Sequence, residues 1–560
     1  MNLWLWRLSA VLTFWSFGFY RLQGGDLFWH VATGRLLLER QGMVYQDPWS
    51  FSQPNADWIQ HEWLSDILYA GLEQTFGMSI LVYWKWAMVV TIYLILFELL
   101  RRRTQDPLAS YLGCLAALAL GGPFLDFRPH LYSMLGYVLL LAICLGRRQP
   151  PWLPLLFVVW SNLHGGVMFG LMVVGLLTLT QRNSPRIAVA CGLAALLNAA
   201  GPGALGYCFK YAFNPNSPYL TLCEWRSPFA EGSLPNPLYP LALTVLGASV
   251  VLIFLRPDLR QQFFDAPGGG LASLALACLT MAMSLRSGRF TPFFGITLAL
   301  LVAPCCAWLL AGRHGRRAVW LALVYGVWQL SAYPLSRSAF PFLVREQNFP
   351  VDTVNFLEAN GWRGKVFNYY GWGGYLHFRT RGGLLVFSDQ RADTVFSEAV
   401  FQRYLDVLRG QPGWIQRVEE SGAEAFLWPR EDKHAAELIA TRRWRLVHED
   451  SVSVLLLRTG VVTSSRVGPT TGYRHFALAS EAANAGRLEE AEMHTRMAVE
   501  MAPHLEKAWL SLVALQLARG ERQTARETLL KANEFFPLPI YRGFLGRLER
   551  RQVGGAARTI

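Results

Sequence analysis

Apolar runs of about 15 to 22 residues, separated by short Arg-bearing turns, recur through the first 335 residues of this 560-residue chain. Runs of this length and density read as helices in lipid, because a helix satisfies its own backbone where water is absent. Candidate spans are 3–22, 78–100, 108–124, 131–146, 152–163, 166–180, 187–200, 239–255, 270–285, 291–311 and 318–333. Leu3 to Tyr20 has a thin positive region and no small-residue cleavage site after it, so it reads as a retained first span and not a secretory signal. A hydrophobic content of 52% and a mean hydropathy of +0.23 agree with this reading.

The arginines set the expected topology. With a cytoplasmic N-terminus, the inner loops carry Arg101-Arg102-Arg103, Arg147-Arg148, Arg182 with Arg186, Arg256 with Arg260, and Arg313 with Arg316-Arg317. Every strong basic cluster then lies inside, as the positive-inside bias requires. This holds only if the chain turns at Ser161–Gly166, and the 152–163 segment is short enough to be re-entrant. The net charge of +13 is thus a topology signal that points to membrane lipids, and no nucleic-acid partner is expected.

Eleven crossings leave everything after Tyr333 outside. The expected fold is a multispan α-helical membrane protein with an outer α/β domain and a short helical stack. The domains are 1–335 (membrane), 345–460 (α/β) and 470–550 (helical repeats). In the last, Gly486 and Gly520, Ala491 and Ala525, Ala498 and Ala532, and Pro503 and Pro537 are each 34 apart. That period, with small residues at packing positions, matches the tetratricopeptide pattern. Two units need a cap, and a helix near Ile540–Arg551 is the candidate. Such a stack suits a protein partner.

Acid is unevenly spread. Of fourteen Asp and Glu residues before Tyr333, seven lie between Gly24 and Gly77: Asp26, Glu39, Asp47, Asp57, Glu62, Asp66 and Glu73. Asp26 follows the first span closely, after Gly24-Gly25, which lets the chain turn at the membrane face. A carboxylate there either binds a polar group or caps the helix that follows. His30 falls one helical turn later, and His61-Glu62 adds a second imidazole and carboxylate. Asp26, Glu62 and these histidines suit general acid–base chemistry, or a divalent cation such as Mg or Mn on Asp26 and Glu62. Asp57 and Asp66 read as cap or solvated-face residues.

Later outer loops add cations. Asp126-Phe127-Arg128-Pro129-His130, His164, Glu224-Trp225-Arg226 and Arg289 recur at the same face. Arginine forks there suit a phosphate or diphosphate head group, with lipid anchoring as the simpler alternative. Arg128, His130, His164 and Arg289 are the candidate donor-phosphate residues. Trp225, Tyr370 and Trp372 are candidate acceptor contacts, the last two beside Asp389 and Arg391 in the α/β domain. Cys208 and Cys223 flank an outer loop, where a disulfide and two free thiols are both open readings.

DLFWHVATGR, DPWSF, HEWLSD, FRPH, NLHGG, Glu224-Trp225 and the tail's NYYGWGGYL and SDQR occur in that order. The layout resembles the C-type-fold (GT-C) integral-membrane glycosyltransferases, which include protein mannosyltransferases, oligosaccharyltransferases and the aminoarabinose transferase of lipid A. Its motifs resemble those of bacterial multispan proteins near that fold, over roughly residues 1–460. The resemblance implies an essential acid after the first span, which Asp26 matches, and a second in the next outer loop, which Asp126 can match. It departs from the mannosyltransferase Asp-Glu pair, since Leu27 follows Asp26.

The expectation is transfer of a hexosyl or pentosyl group from a polyprenyl-phosphate donor to a periplasmic protein or glycan acceptor. Asp26 is the expected base, supported by His30, Glu62 and Asp126. The alternative is a non-catalytic envelope-assembly scaffold acting through its repeats. A transporter is less favoured, since the spans hold few polar residues beyond Lys85 and Glu98.

Overall fold

The computed structural model describes residues 3–18, 22, 24–145, 149–181, 184–213, 222–266, 269–310, 315–331, 340, 343–464, 468, 470–536 and 543. Arg147, Arg148, Arg182, Arg313, Tyr333, Pro537 and all of the candidate capping helix but Gly543 lie outside the described residues.

A helix lies in each of the eleven expected stretches, but not each is long enough to cross alone. Among the described residues, Ile80–Thr104, Pro107–Phe124 and Gly288–Leu310 have the length and composition of a span. Tyr239–Leu255 joins Pro257–Asp265 at a bend of 103° and makes a fourth candidate. Leu153–Leu163 and Pro185–Ala195 have 11 residues each. At roughly 1.5 Å per residue such a helix covers about half of a ~30 Å hydrocarbon core. The expected break falls between Leu153–Leu163 and Val167–Thr180.

Small residues let these helices approach. A Cβ on Gly295 would lie 3.0 Å from the Ala117 carbonyl, and one on Gly113 3.1 Å from Ala303 Cβ. Close backbone approach of this kind drives helix association in lipid, where burial of apolar surface does not. The first outer loop forms two further helices, Asp26–Arg40 and Trp63–Phe76. They cross at Gly34, whose Cβ would stand 1.9 Å from the Asp66 carbonyl.

The α/β domain has strands β1 (Gly364–Asn368), β2 (Leu384–Val386), β3 (Ala425–Pro429), β4 (Trp444–Glu449) and β5 (Ser453–Arg458). Their order is β2-β1-β3-β5-β4, with β1 parallel to β2 and β3, and β5 antiparallel to β3 and β4. Ala425, Phe426, Leu427 and Trp428 of β3 are all fully buried, as a strand covered on both faces must be.

The first outer loop is built into this domain. Val386 N–H donates to Trp49 O and Phe51 N–H to Val386 O, which adds the loop beside β2. Trp49, Phe51 and Trp58 share a core with Phe367, Phe387 and Phe426. Phe28 packs on Phe349, Tyr375 and Phe378 with ring centroids 4.9 to 5.3 Å apart. At the other end of the loop, Leu22 exchanges backbone hydrogen bonds with Leu343 and Arg345.

After the sheet come two helix pairs, Gly472–Asn484 with Leu488–Met501 and Glu506–Ala518 with Arg522–Phe535. The second pair starts 34 residues after the first. Ala491, Ala498, Ala525 and Ala532 are fully buried between helices. Gly486 and Gly520 take positive φ of 74° and 81° in the turns. Thr471 caps the first of these helices and binds Asp352 of the α/β domain through its N–H and hydroxyl.

Candidate active site

Asp26 opens the helix Asp26–Arg40, and Gly25 takes the cap position without a side-chain cap bond. The carboxylate therefore does not serve as the N-cap. It pairs instead with Arg128, whose Nε is 3.0 Å from Asp26 Oδ2. Arg128 Nη1 donates to Glu224 Oε2 at 2.5 Å, and Arg289 Nη2 lies 3.1 Å from Glu224 Oε1. Two acids and two guanidiniums from four outer segments thus alternate along one line.

Local backbone explains each placement. A Cβ on Gly24 would lie 2.9 Å from Asp126 Oδ2, so the glycine lets the first turn rest on the second. Asp126 Oδ1 accepts the N–H of Phe127 and does not pair directly with Arg128. Gly288 N–H donates to Arg226 O and Arg289 N–H to Glu224 O, which sets Arg289 beside Glu224 and over the Trp225 ring at 4.6 Å.

Burial pushes the Asp26 carboxyl above the ordinary aspartate range, against the pull of Arg128, although a fifth of its side chain stays open. Burial also opposes ionisation of Glu224, but Arg128 and Arg289 outweigh it and bring that group down to about 2. Arg128 is held well above its usual value by Asp26 and Glu224 despite the cost of burial. The row holds a fixed carboxylate in Glu224 and a carboxylate in Asp26 better suited to take a proton.

A second cluster surrounds Glu62. Its Oε1 is 3.4 Å from Nε2 of both His61 and His164, and its Oε2 is 3.9 Å from His30 Nε2. The His164 tautomer follows from its other nitrogen. Gly166 N–H donates to Nδ1, and Ser133, already accepting from Trp160 Nε1, gives its hydroxyl proton to the same atom. The ring proton is then on Nε2, pointing at Glu62. Gly166 is required here, since a Cβ would fall 2.2 Å from Ser133 Oγ.

Burial drives His164 down to about 3, so it stays neutral. Burial also opposes charge on His61, but Glu62 and the Ile59 carbonyl outweigh it and raise the group. Glu62 is held well below its usual range by His61, His164 and His30, against its own burial. His30 Nδ1 and Asp66 Oδ1 share a hydrogen bond of 2.6 Å, and burial raises Asp66 to about 6.

His130 stands beside the row, within the field of Arg289, Arg128 and Glu224, and the other candidates lie elsewhere. His130 Nε2 donates to Phe124 O at 2.6 Å and so closes its own turn. Trp372 is 5% exposed, with its indole N–H on Asn348 O, a core position and not a groove wall. Tyr370 packs on Phe401 and Tyr404 inside the domain. Asp389 and Arg391 form a fully buried network with Asp47 and His377. Cys208 and Cys223 are free thiols.

A divalent cation on Asp26 and Glu62 finds no matching donor set. Arg128 already neutralises Asp26, Glu62 faces imidazoles, and no group of three His, Cys, Asp or Glu among the described residues is arranged to hold an ion.

Sequence reading missed Glu224 and misjudged Asp66. Glu224 is one of only seven acids before Tyr333 outside the first loop, and it sits among arginines, which was the available signal. Asp66 follows Glu62 by one helical turn and is buried against His30, not solvated.

No protein-family model matches the chain, and no curated protein matches it. The structure is similar to that of an oligosaccharyltransferase of Archaeoglobus fulgidus in the apo form. The TM-score is 0.52 at 12% identity, covering 76% of this chain and 69% of that one. The archaeal oligosaccharyltransferase AglB of that organism, in complex with an inhibitory peptide and a dolichol-phosphate, gives 0.50 at 11% identity over the same shares. ArnT of Cupriavidus metallidurans bound to undecaprenyl phosphate gives 0.45 at 15% identity, over 84% and 99%. The two oligosaccharyltransferase likenesses show a shared fold, a helical membrane part followed by an α/β domain.

Proposed function

We propose that this chain moves a hexosyl or pentosyl group from a polyprenyl-phosphate-type donor to an acceptor at the outer face of a bacterial inner membrane. The observation that carries this reading is the 3.0 Å pairing of Asp26 with Arg128, in a row that continues to Glu224 and Arg289. The fold shared with oligosaccharyltransferases supports it, although one fold serves several functions.

In the proposed step, an acceptor hydroxyl or amine gives its proton to Asp26, and its electron pair forms the bond to the sugar C1. The bond from C1 to the phosphate oxygen breaks, and its pair leaves with the phosphate. In this reading Arg128 and Arg289 face that charge as it develops, and fixed guanidiniums at a developing charge are an effective form of catalysis. Asp126 supports the turn that carries Asp26, and the Glu62 cluster supports the helix behind it. No step is routed through a metal. The C-terminal domains face the periplasm in this reading, and the 34-residue helix pairs offer a tetratricopeptide-like surface for a protein partner.

Mass spectrometry of lipid-linked sugars and envelope glycans tests this, using a host that lacks the chain and is complemented with wild type or Asp26→Asn. Loss of a glycan, build-up of a carrier-linked sugar and rescue by wild type alone are expected. Equal rescue by Asp26→Asn at equal expression would reject the catalytic role and favour the scaffold.

A further inference from the structure

A recess of about 170 Å³ lies where the first outer loop, the helix Pro202–Phe213 and the α/β domain meet. No residue of the Asp26 row lines it. Its polar wall is Gln53 and Asp57 from the loop, Lys210 from the helix, and Asp393, Ser397 and Glu398 from the domain. Ile59 and Phe396 supply an apolar side. The walls are fastened together: Ile59 N–H donates to Thr394 O, Ser397 N–H to Gln53 Oε1, and Tyr207 hydroxyl to Asp393 Oδ1 at 2.9 Å.

We infer that this recess is an acceptor subsite that takes one ring of an uncharged oligosaccharide. The inference rests on the transferase reading above and narrows its acceptor to a glycan.

Size is the first argument. A closed cavity of roughly 150 Å³ binds benzene, so a recess of about 170 Å³ is on the scale of one ring. Chemistry is the second. Three carboxylates repel an anion, while Lys210 opposes a simple cation. A polyol satisfies both kinds of group, since each hydroxyl donates to a carboxylate or accepts from the ammonium. A few polar groups beside an apolar side is how small-molecule sites fix orientation. Placement is the third. The Tyr207 ring lies 4.9 Å from the His61 ring, and His61 faces Glu62. The imidazole cluster therefore stands between the recess and Asp26. A sugar in the recess is not the reacting one, so the acceptor spans several rings and its binding at a distance supports reaction at the near end.

The test uses the full chain in nanodiscs and a length ladder of end-labelled oligosaccharides cut from the host's own neutral envelope polysaccharide. Lys210 is exposed, so Lys210→Trp fills the recess without disturbing a core. The expected result is a KM for long acceptors raised about tenfold or more, an unchanged KM for the shortest, and an unchanged kcat. Lys210→Arg should restore the long-acceptor KM. Direct binding of the longest oligosaccharide should weaken equally in Lys210→Trp and in Asp393→Asn. A KM raised equally at all lengths, or unchanged at all, overturns the subsite, as does transfer to proteins alone. If wild type transfers nothing, or Asp26→Asn transfers equally, the transferase reading fails. Binding lost in both recess variants would still support the saccharide site, and binding unchanged would end it.

Discussion

Arg128 is held by Asp26 on one side and Glu224 on the other, so one guanidinium ties the first outer loop to the segment before Tyr239. Its removal leaves Asp26 without that cation and Glu224 with Arg289 alone, in a site at most about a third exposed. Arg128→Gln should cost about 3 kcal/mol, the lower end for a broken buried pair. Arg128→Lys should recover part of that, keeping the charge and losing the fork. Thermal melting of the purified protein reads both, and an unchanged melt in Arg128→Gln would mean the pairing carries no stability.

Asp26→Asn should lower transfer by about 100-fold or more, since general bases contribute at least that factor, and should lower the melting temperature less than Arg128→Gln does, because Glu224 still holds Arg128. Single-turnover rates with saturating donor measure it. A loss of less than about threefold would remove Asp26 from the chemistry.

The pH profile carries a sign. Burial raises Asp26, so the acid-side loss of kcat/KM should have its midpoint above the ordinary aspartate value of about 3.9. Arg128 lowers that group, and Arg128→Gln should therefore move the midpoint further up. A midpoint that moves down, or stays, would assign the acid limb to another residue.

Asp66 tests stability against pH. Its folded value of about 6 lies above its unfolded one, so its favourable contribution is full below about pH 4 and is lost as pH rises to 6. Asp66→Asn should flatten the dependence of melting temperature on pH in that window, by no more than about 3 kcal/mol. An unaltered slope would rule out Asp66 as its source.

Gly34→Ala should separate the helices Asp26–Arg40 and Trp63–Phe76, because its Cβ would meet the Asp66 carbonyl at 1.9 Å. Overpacking of this kind costs about 1–3 kcal/mol. Proteolysis of the first loop should accelerate with it, and equal resistance would show that the crossing can relax.

Sequence alone made the acid-rich first loop visible, and that loop supplies Asp26 to the first cluster and most of the second. It did not separate the acids by role. Asp26, Glu62 and Asp66 reach the candidate site, whereas Asp47 lies in the α/β core on Arg391, 344 residues away. Composition records acid density, but a partner at that separation leaves no local trace. Glu73 is likewise held by Arg35 on the facing loop helix. Tyr370 and Trp372, beside Asp389 and Arg391, read as acceptor contacts for the same reason, since Arg391 is paired with Asp47 from the far end of the chain. The 34-residue period was legible because its turns recur locally at Gly486 and Gly520. Span length was legible at 152–163 but not at 187–200, where the apolar run continues past the end of the 11-residue helix Pro185–Ala195.

The backbone pairing of Leu22 with Leu343 and Arg345, and of Trp49 and Phe51 with Val386, fastens the α/β domain to the loop at two points, with Asp26 between them. Any motion of the domain away from the loop therefore has to break backbone hydrogen bonds on at least one side of Asp26.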